Sequence, residues 1–236
     1  MQRIAAIGVA LAAVLLWAAP PGFTAGAEDC SKYSDAFDAY HAERWQEVLL
    51  YSAAKAGFAI REGRLMLSTP ANEPCEVQVY SLFTFEGDLD VQVSYEIPNA
   101  AELRSDSCRF NTGLVLQTLG DEQSYKCYVA MTPEKGLLYR ARVDQFGEQK
   151  IETFKENPAP STGGLRLMRQ NGQVQFLALD KGQWVKIYEF QNPCREKLRI
   201  RFKLQTGGDR EPHQSCPVQV NFDNFKVNSC SRIIEE

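Results

Sequence analysis

Three acidic residues alternate along one short segment, and their spacing comes closest to a catalytic pattern in this chain. Glu86, Asp88 and Asp90 lie two positions apart, so an extended strand would place their side chains on one face. Two carboxyl groups about 5 to 5.5 Å apart can act as nucleophile and acid in the cleavage of a glycosidic bond. The favoured interpretation is instead a solvated strand edge and turn, with the interleaved apolar residues facing the core. A cation site is a further alternative. The interleaved apolar residues that would face the core in the favoured interpretation are Leu89, Val91 and Val93.

Other catalytic chemistry finds little support. The only histidines are His41, in an early loop region, and His213, near the last strand, and no nucleophile motif accompanies either one. Phosphate-binding glycine loops and dinucleotide fingerprints are absent from the sequence. Zinc sites usually contain a close cysteine pair, whereas the nearest two here, Cys216 and Cys230, are fourteen positions apart. We therefore expect no catalytic residues, no cofactor and no metal, and an enzyme is the less favoured interpretation.

The charge balance excludes one class of partner. The 236 residues include 26 Lys and Arg against 30 Asp and Glu, which gives a formal net charge of -4. Nucleic-acid binding needs a basic field, and the sequence contains no block rich in Lys and Arg. We expect no nucleic-acid partner, although a local basic patch is compatible with this balance. The 44% of hydrophobic residues is enough to form a core and excludes a disordered chain.

The first 27 residues have the features of a secretory signal peptide. Arg3 is followed by an uncharged apolar run from Ile4 to Ala19, and Ala25 to Ala27 matches an A-x-A cleavage pattern. The run of 16 residues falls short of the roughly 20 that a spanning helix needs, so an uncleaved anchor is the less favoured alternative. We predict a signal peptide over 1–27 and a single domain over 28–236. The mature protein would be periplasmic or secreted, with no membrane span.

All seven cysteines follow this segment, and an oxidising destination favours disulfides. Cys127 differs from the others because it lies within a strand-like run, 125–131. Since seven is an odd number, we expect Cys127 to be the unpaired thiol and to be buried. The remaining six lie beside turn or loop residues or near the chain ends. These disulfide candidates are Cys30, Cys75, Cys108, Cys194, Cys216 and Cys230.

Turn residues recur at short intervals from Gly63 onward, and the segments between them alternate apolar with polar residues, as half-buried strands do. The clearest pair, 165–170 and 173–179, is joined by Asn171 and Gly172, which suit the two positive-φ positions of a type I′ turn. Only the stretch 34–50 could hold a helical turn or two. More than ten short strands without intervening helices predict an all-β sandwich. The other strand candidates are 64–68, 76–84, 89–97, 110–118, 125–131, 137–144, 184–190, 197–204 and 217–227.

A candidate binding face follows from the predicted hairpin of 125–131 and 137–144. If Tyr128 pairs with Arg140, alternation divides the hairpin into a core face and an opposite face. The core face would carry Cys127, Val129, Leu137, Tyr139, Ala141 and Val143. The opposite face would carry Lys126, Tyr128, Leu138, Arg140 and Arg142.

The opposite face combines one aromatic ring with three cations in an otherwise acidic protein. Sugars bind by stacking on aromatic rings and by hydrogen bonds from charged side chains, so an acidic polysaccharide would suit this face. An ordinary solvated sheet face is the alternative. The candidate ligand-binding residues are Lys126, Tyr128, Arg140 and Arg142.

Several motifs occur in an order that resembles a known superfamily. Residues 85–93 are similar to F-x-G-D-F-D-V-x-V, residues 112–116 to x-G-L-V-L, and residues 220–227 to a closing F-D-N-F-x-V strand. Further motifs of the same superfamily are matched by residues 35–37 with Trp45, by residues 60–67, and by residues 165–169 with Trp184. Together they resemble secreted members of the concanavalin A-like lectin/glucanase superfamily, which includes laminin-G-like domains.

The resemblance implies a jelly-roll sandwich of two antiparallel sheets, but no single function, because the superfamily contains sugar binders, glycosidases, peptide-binding domains and structural modules. We expect a non-catalytic protein that binds a carbohydrate or glycan-like polymer. The alternatives are an extracellular protein–protein interaction or structural module, and a diverged glycosidase. In the glycosidase relatives the catalytic strand has a second glutamate where Gln92 stands here.

The resemblance also bears on the disulfides. The mature termini of a jelly roll are expected to lie near each other, which makes Cys30 with Cys230 the first pairing to consider. Cys75 is a rival partner for Cys230. Cys108 with Cys127 is disfavoured, because a hairpin around Gly120 would place them too far apart.

Overall fold

The computed structural model describes residues 29–50, 56–70, 74–105, 108–120, 123–145, 148–191, 196–207 and 216–235. These residues form thirteen β-strands, one 3-10 turn over Cys30–Tyr33 and one short helix, α1, over Ala100–Ser105. The strands are β1 (Trp45–Leu50), β2 (Gly57–Arg61), β3 (Arg64–Thr69), β4 (Cys75–Glu96), β5 (Phe110–Thr118), β6 (Gln123–Thr132), β7 (Gly136–Gln145), β8 (Glu148–Pro158), β9 (Thr162–Gln170), β10 (Gln173–Asp180), β11 (Gln183–Gln191), β12 (Leu198–Thr206) and β13 (Val218–Glu235).

The strands form an antiparallel jelly-roll sandwich in which the 22-residue β4 belongs to both layers. The first half of β4 pairs with β1 and β12, and the order continues through β5, β6 and β7 to β8; we call this layer the front sheet. The second half of β4 pairs with β9 and β13, and β10, β11, β3 and β2 complete the back sheet. The predicted fold class is confirmed.

Alternation of apolar and polar residues explains why these segments form strands. In β12 the side chains of Leu198, Ile200, Phe202 and Leu204 are fully buried, while the interleaved Arg and Lys residues lie on the opposite face of the sheet. The predicted hairpin of β9 and β10 is present, and both Asn171 and Gly172 have positive φ, at 50° and 77°.

The core lies between the two sheets and contains a cluster of aromatic rings. The Trp45 ring contacts Phe37, Phe83, Phe202 and Phe225 at centroid distances of 5.4 to 5.9 Å. Asp35 is buried beneath this cluster, where its carboxylate accepts hydrogen bonds from Trp45 Nε1 and from the backbone of Phe37, each at 2.7 Å. The early part of the chain is therefore anchored to the core by paired polar groups.

One of two expectations about helices was wrong. The stretch 34–50 holds a single turn, in which the backbone N–H groups of Arg44 and Trp45 donate to the carbonyl of His41, and then β1, which pairs with β4. A short helix, α1, does lie between β4 and β5. None of the helices formed by the described residues is long and apolar enough to cross a membrane. The predicted signal peptide, 1–27, lies outside the described residues.

Two disulfides join distant parts of the chain. Cys30 is bonded to Cys230 and Cys108 to Cys216, with Cα–Cα distances of 6.0 and 5.7 Å. The first is the pairing suggested by the proximity of the termini, and it removes Cys75 as a partner for Cys230. Cys75 is buried at the start of β4, and Cys194 lies outside the described residues.

Cys127 faces the core from the middle of β6 and forms no disulfide. Its thiol donates a hydrogen bond to the carbonyl of Leu177 at 3.4 Å. Burial raises the pKa of this thiol to about 12, so the reactive thiolate form is disfavoured at neutral pH.

Candidate functional site

Each of the three alternating acids has a partner on the back sheet. Asp90 is 8% exposed and accepts a hydrogen bond from Arg166 Nε at 2.7 Å, and its second oxygen is paired with the same guanidinium. Glu86 pairs with Arg232, and Asp88 accepts a hydrogen bond from the backbone of Asn171. The expected burial of the interleaved apolar residues is present, but Asp90 is not solvated. These acids stabilise contacts of the back sheet.

The predicted basic face lies on the front sheet. Tyr128 pairs with Arg140 and Lys126 with Arg142, as the hairpin register required. The residues predicted for the core face of this hairpin do belong to the core or pack against it. We call the side of the front sheet turned away from the core the front face.

Three further strands extend the front face beyond this hairpin. The register places Lys203 beside Gly113 and Gly113 beside Tyr128, while Arg201, Val115 and Lys126 form the neighbouring row. On β4, Gln78 lies beside Lys203, and Tyr80 lies beside Arg201. The described side chains of β4, β5, β6, β7 and β12 give this face six cations and two carboxylates. The cations are Lys126, Arg140, Arg142, Arg199, Arg201 and Lys203, and the carboxylates are Glu76 and Asp144.

Toward β6 and β7, the front face carries Asp144, which is bound by two cations. Arg142 Nε lies 2.7 Å from Asp144 Oδ1, and Lys126 Nζ is hydrogen-bonded to the other carboxylate oxygen. Burial by itself would raise the pKa of Asp144, but these hydrogen bonds outweigh it and lower the pKa. Burial lowers the pKa of Lys126, and the hydrogen bond to Asp144 opposes that shift.

Toward β12 and β4, the front face carries a buried polar network that includes the second carboxylate, Glu76. Lys203 Nζ lies 2.9 Å from Glu76 Oε1, and Gln78 donates a hydrogen bond to the same carboxylate oxygen. Gln78 Oε1 in turn accepts a hydrogen bond from Arg201 at 2.9 Å. Burial lowers the pKa of Lys203 to about 8, even though the negative charge of Glu76 favours the ammonium form.

A small cleft opens between these two sides. Gly113 forms part of its floor, and a Cβ at this position would lie only 2.4 to 2.5 Å from backbone atoms of Cys127 and Tyr128. The absence of a side chain at Gly113 therefore allows β5 and β6 to approach closely beneath the cleft. The lining residues are Asn111, Thr112, Gly113, Val115, Lys126, Tyr128, Arg142, Lys203 and Gln205.

The aromatic rings of the front face are covered by arginines. The guanidinium of Arg140 lies 5.7 Å from the centre of the Tyr128 ring, and Tyr128 is only 6% exposed. Arg199 and Arg201 both lie 5.7 Å from the ring of Tyr80, which is more exposed. Tyr128 thus contributes to a wall of the cleft rather than an open stacking surface.

The two carboxylates described on the front face lie too far apart for a glycosidase pair. Glu76 is on β4 and Asp144 on β7, and β12, β5 and β6 lie between them. At a strand spacing of about 4.8 Å, the two carboxylates belong to strands roughly 19 Å apart, whereas a catalytic pair requires about 5 to 9.5 Å. His41 pairs with Glu43 in an exposed turn, and His213 lies outside the described residues. Within the described ranges, no group of three or more His, Cys, Asp or Glu residues could hold a metal ion.

Comparison with known proteins provides relatives in structure but not in sequence. No protein-family model matches the chain, and no curated protein matches it. An endo-acting O-glycanase of the human gut microbiota that initiates mucin breakdown superimposes with a TM-score of 0.62 at 13% identity, over 82% of this chain and 97% of that one.

Two glucanases give similar agreement. A lichenase derived from a mouse hindgut metagenome has a TM-score of 0.60 at 11% identity, over 82% of this chain and 97% of its own. The Bacillus licheniformis β-glucanase has a TM-score of 0.57 at 14% identity, over 87% and 99%. The fold is the concanavalin A-like jelly roll. At these identities the likeness establishes the fold alone.

Sequence reasoning identified one half of the front face. Lys126, Tyr128, Arg140 and Arg142 lie on one hairpin, whose register follows from local alternation. It missed the contribution of β12 and β4, whose residues are brought beside this hairpin by long-range pairing. The available signal was the alternation of Arg199, Arg201 and Lys203 with fully buried apolar residues.

Proposed function

We propose that this protein is a non-catalytic carbohydrate-binding protein that holds a polymer in the cleft of the front face. The observation that carries the proposal is the cleft itself, because it is lined by hydrogen-bonding side chains from four neighbouring strands. Sugar hydroxyls need such directional donors and acceptors. The structural relatives act on glycans, which is consistent with a ligand of this class.

The predicted compartment supports the same function. Disulfides persist in oxidising environments, and two are present here, joining cysteines that are 200 and 108 positions apart in sequence. Together with the signal-peptide pattern of the first 27 residues, they support a periplasmic or secreted location. A protein in that location would meet extracellular polysaccharides directly.

Binding to a panel of soluble polysaccharides tests the proposal. We expect calorimetric titration to detect binding to at least one of them, and we expect Arg142→Ala to weaken that binding because Arg142 lines the cleft. Arg232→Ala is the matched control, since Arg232 is an arginine paired with an acid on the back sheet. Both variants should melt at nearly the same temperature as the unchanged protein.

Three results would contradict the proposal in different ways. Failure to bind any polysaccharide would favour an extracellular interaction module. Release of new reducing ends, or of shorter oligosaccharides, from a bound polymer would show turnover and would favour a diverged glycosidase. Retention of full affinity by Arg142→Ala would place the binding site elsewhere.

A further inference from the structure

The charge of the front face indicates more than a general affinity for sugars. Six cations and two carboxylates lie on the described side chains of five of its strands, β4, β5, β6, β7 and β12, in a chain whose formal net charge is -4. A local excess of positive charge on an acidic protein concentrates anions at that place and repels them elsewhere. A neutral glycan could accept hydrogen bonds from these side chains but would gain nothing from the excess of positive charge.

The cations are also held in a poorly solvated setting. The side chains of Lys126 and Lys203 are each 15% exposed, and Arg201 is 7% exposed. Burying charges costs free energy, and the two described carboxylates already pair with Lys126, Arg142 and Lys203. The Nε atoms of Arg199 and Arg201 are buried and have no hydrogen-bond partner within the described part of the chain. An anionic ligand would offset the excess of positive charge.

The cations are spread over several strands rather than gathered at one point. They lie on β12, β6 and β7, and β5 between them contributes only Gly113, Val115 and neutral polar groups. At a spacing of about 4.8 Å per strand, the path from β12 to β7 is roughly 14 Å long. Such a path suits a chain with repeated negative charges better than a single small ion.

We propose that the ligand is a polyanionic glycan whose carboxylate or sulfate groups are bound along the path formed by Arg201, Lys203, Lys126 and Arg142. This inference rests on the proposed function and adds the charge class of the ligand. Arginine forks match the geometry of carboxylate and sulfate oxygens, while lysine acts as a point charge toward either group. The acidic net charge of the chain and its likeness to an O-glycanase and two glucanases favour a glycan over nucleic acid.

The test compares charged and neutral polymers at low salt. The probes are polygalacturonate, which carries carboxylates, heparin, which carries sulfates as well, and mixed-linkage β-glucan and dextran, which are neutral. We expect at least one charged polymer to bind tenfold or more tightly than either neutral polymer. We also expect its affinity to fall as NaCl is raised from 50 to 500 mM, because added salt screens partly exposed charges. The relative affinities for polygalacturonate and heparin identify the anionic group.

Variants connect the binding to the path. Arg201→Gln and Arg142→Gln remove one charge each while keeping a hydrogen-bond donor, and each should weaken binding of the charged polymer about tenfold. Arg232→Gln, on the back sheet, should leave the affinity unchanged. Circular dichroism melts confirm that each variant is folded, and Arg142→Gln serves as the independent test if the more buried Arg201→Gln fails to fold.

The outcomes separate this inference from the proposed function. Equal binding of neutral and charged polymers, with no effect of the path variants, would overturn the inference and leave carbohydrate binding in place. Absence of binding to all four polymers would overturn both. Equal or tighter binding of a DNA duplex would overturn the assignment to glycans and indicate a general polyanion surface.

Discussion

Lys203 lies on β12 with its ammonium group 2.9 Å from Glu76 and with 15% of its side chain exposed. The charged groups that face it are Glu76 from β4, Arg201 from its own strand and Lys126 from β6. Burial disfavours the ammonium and the two neighbouring cations repel it, while Glu76 alone stabilises it. The pKa of about 8 therefore places the loss of one positive charge of the cleft just above neutral pH.

A pH profile of polyanion binding should detect this titration. The protonated fraction of Lys203 falls from about nine-tenths at pH 7 to about one-tenth at pH 9, and a bound anion favours the protonated form. Affinity for the charged polymer should therefore decrease as the pH rises through 8. Lys203→Arg keeps the charge over this range, because arginine stays protonated, and it should flatten the profile.

Calorimetric titrations at pH 7, 8 and 9 measure both profiles. Lys126 is present in both proteins, so the difference between the two profiles isolates Lys203. Identical pH dependence in the two proteins would show that Lys203 does not contact the ligand.

At the level of elements, the close approach of β5 and β6 depends on Gly113. A Cβ at Gly113 would meet the Cys127 carbonyl at 2.4 Å and the Tyr128 Cα at 2.5 Å. Both are backbone atoms of the paired strand, so no side-chain rotation can relieve the contact. Gly113→Ala should force the strands apart and lower the free energy of unfolding by about 1 to 3 kcal/mol.

Gly57→Ala is the matched control for this substitution. Gly57 lies at the start of β2, and nothing lies within 4 Å of a Cβ placed there. Its free energy of unfolding should change by no more than about 0.5 kcal/mol. Urea denaturation measures both variants, and an equal loss in the two would show that the contact beneath the cleft is not what constrains Gly113.

The strands around the cleft show which parts of the site the sequence can predict. The hairpin of β6 and β7 has a turn of a few residues, so alternation and pairing register are enough to assign Tyr128 and Arg142 to one face. Lys203 is 90 positions after Gly113, and only the sheet order brings the two together. Alternation in β12 predicts which side chains share a face, but it does not specify the neighbouring strand.

Long-range order also explains the errors in the predicted elements. Segments 76–84 and 89–97 were predicted as two strands, because Gly87 and its flanking acids resemble a turn. In the structure they are one strand, β4, whose halves belong to different sheets, and Gly87 takes a φ of 80° within it. A glycine in a strand can mark a bend as well as a turn, and only the partners of the strand distinguish the two.

For the whole molecule, β4 and the two disulfides link regions that are far apart in sequence. Cys30–Cys230 attaches the 3-10 turn to β13, where the backbone of Asp35 also donates a hydrogen bond to the carbonyl of Phe225 at 2.9 Å. Cys108–Cys216 attaches the segment before β5 to the segment before β13. Both therefore restrict the unfolded chain strongly.

Replacing Cys30 and Cys230 together by alanine should lower the free energy of unfolding by about 3 to 5 kcal/mol. The loop-closure entropy grows only with the logarithm of loop length, so the Cys108 and Cys216 double replacement should cost within about 1 kcal/mol of the same amount, despite its shorter loop. Guanidinium denaturation with intact and replaced pairs measures both losses.

The size of these losses bears on where the protein can function. A domain with a typical stability of 5 to 15 kcal/mol would lose much of it if both bonds were reduced, so a reducing compartment would leave it poorly folded. Treatment of the unchanged protein with a thiol reductant should accordingly lower the midpoint of unfolding by at least as much as either double replacement. A stability unaffected by the replacements and by the reductant would remove the physical reason for an oxidising location and would leave the signal-peptide pattern as its only support.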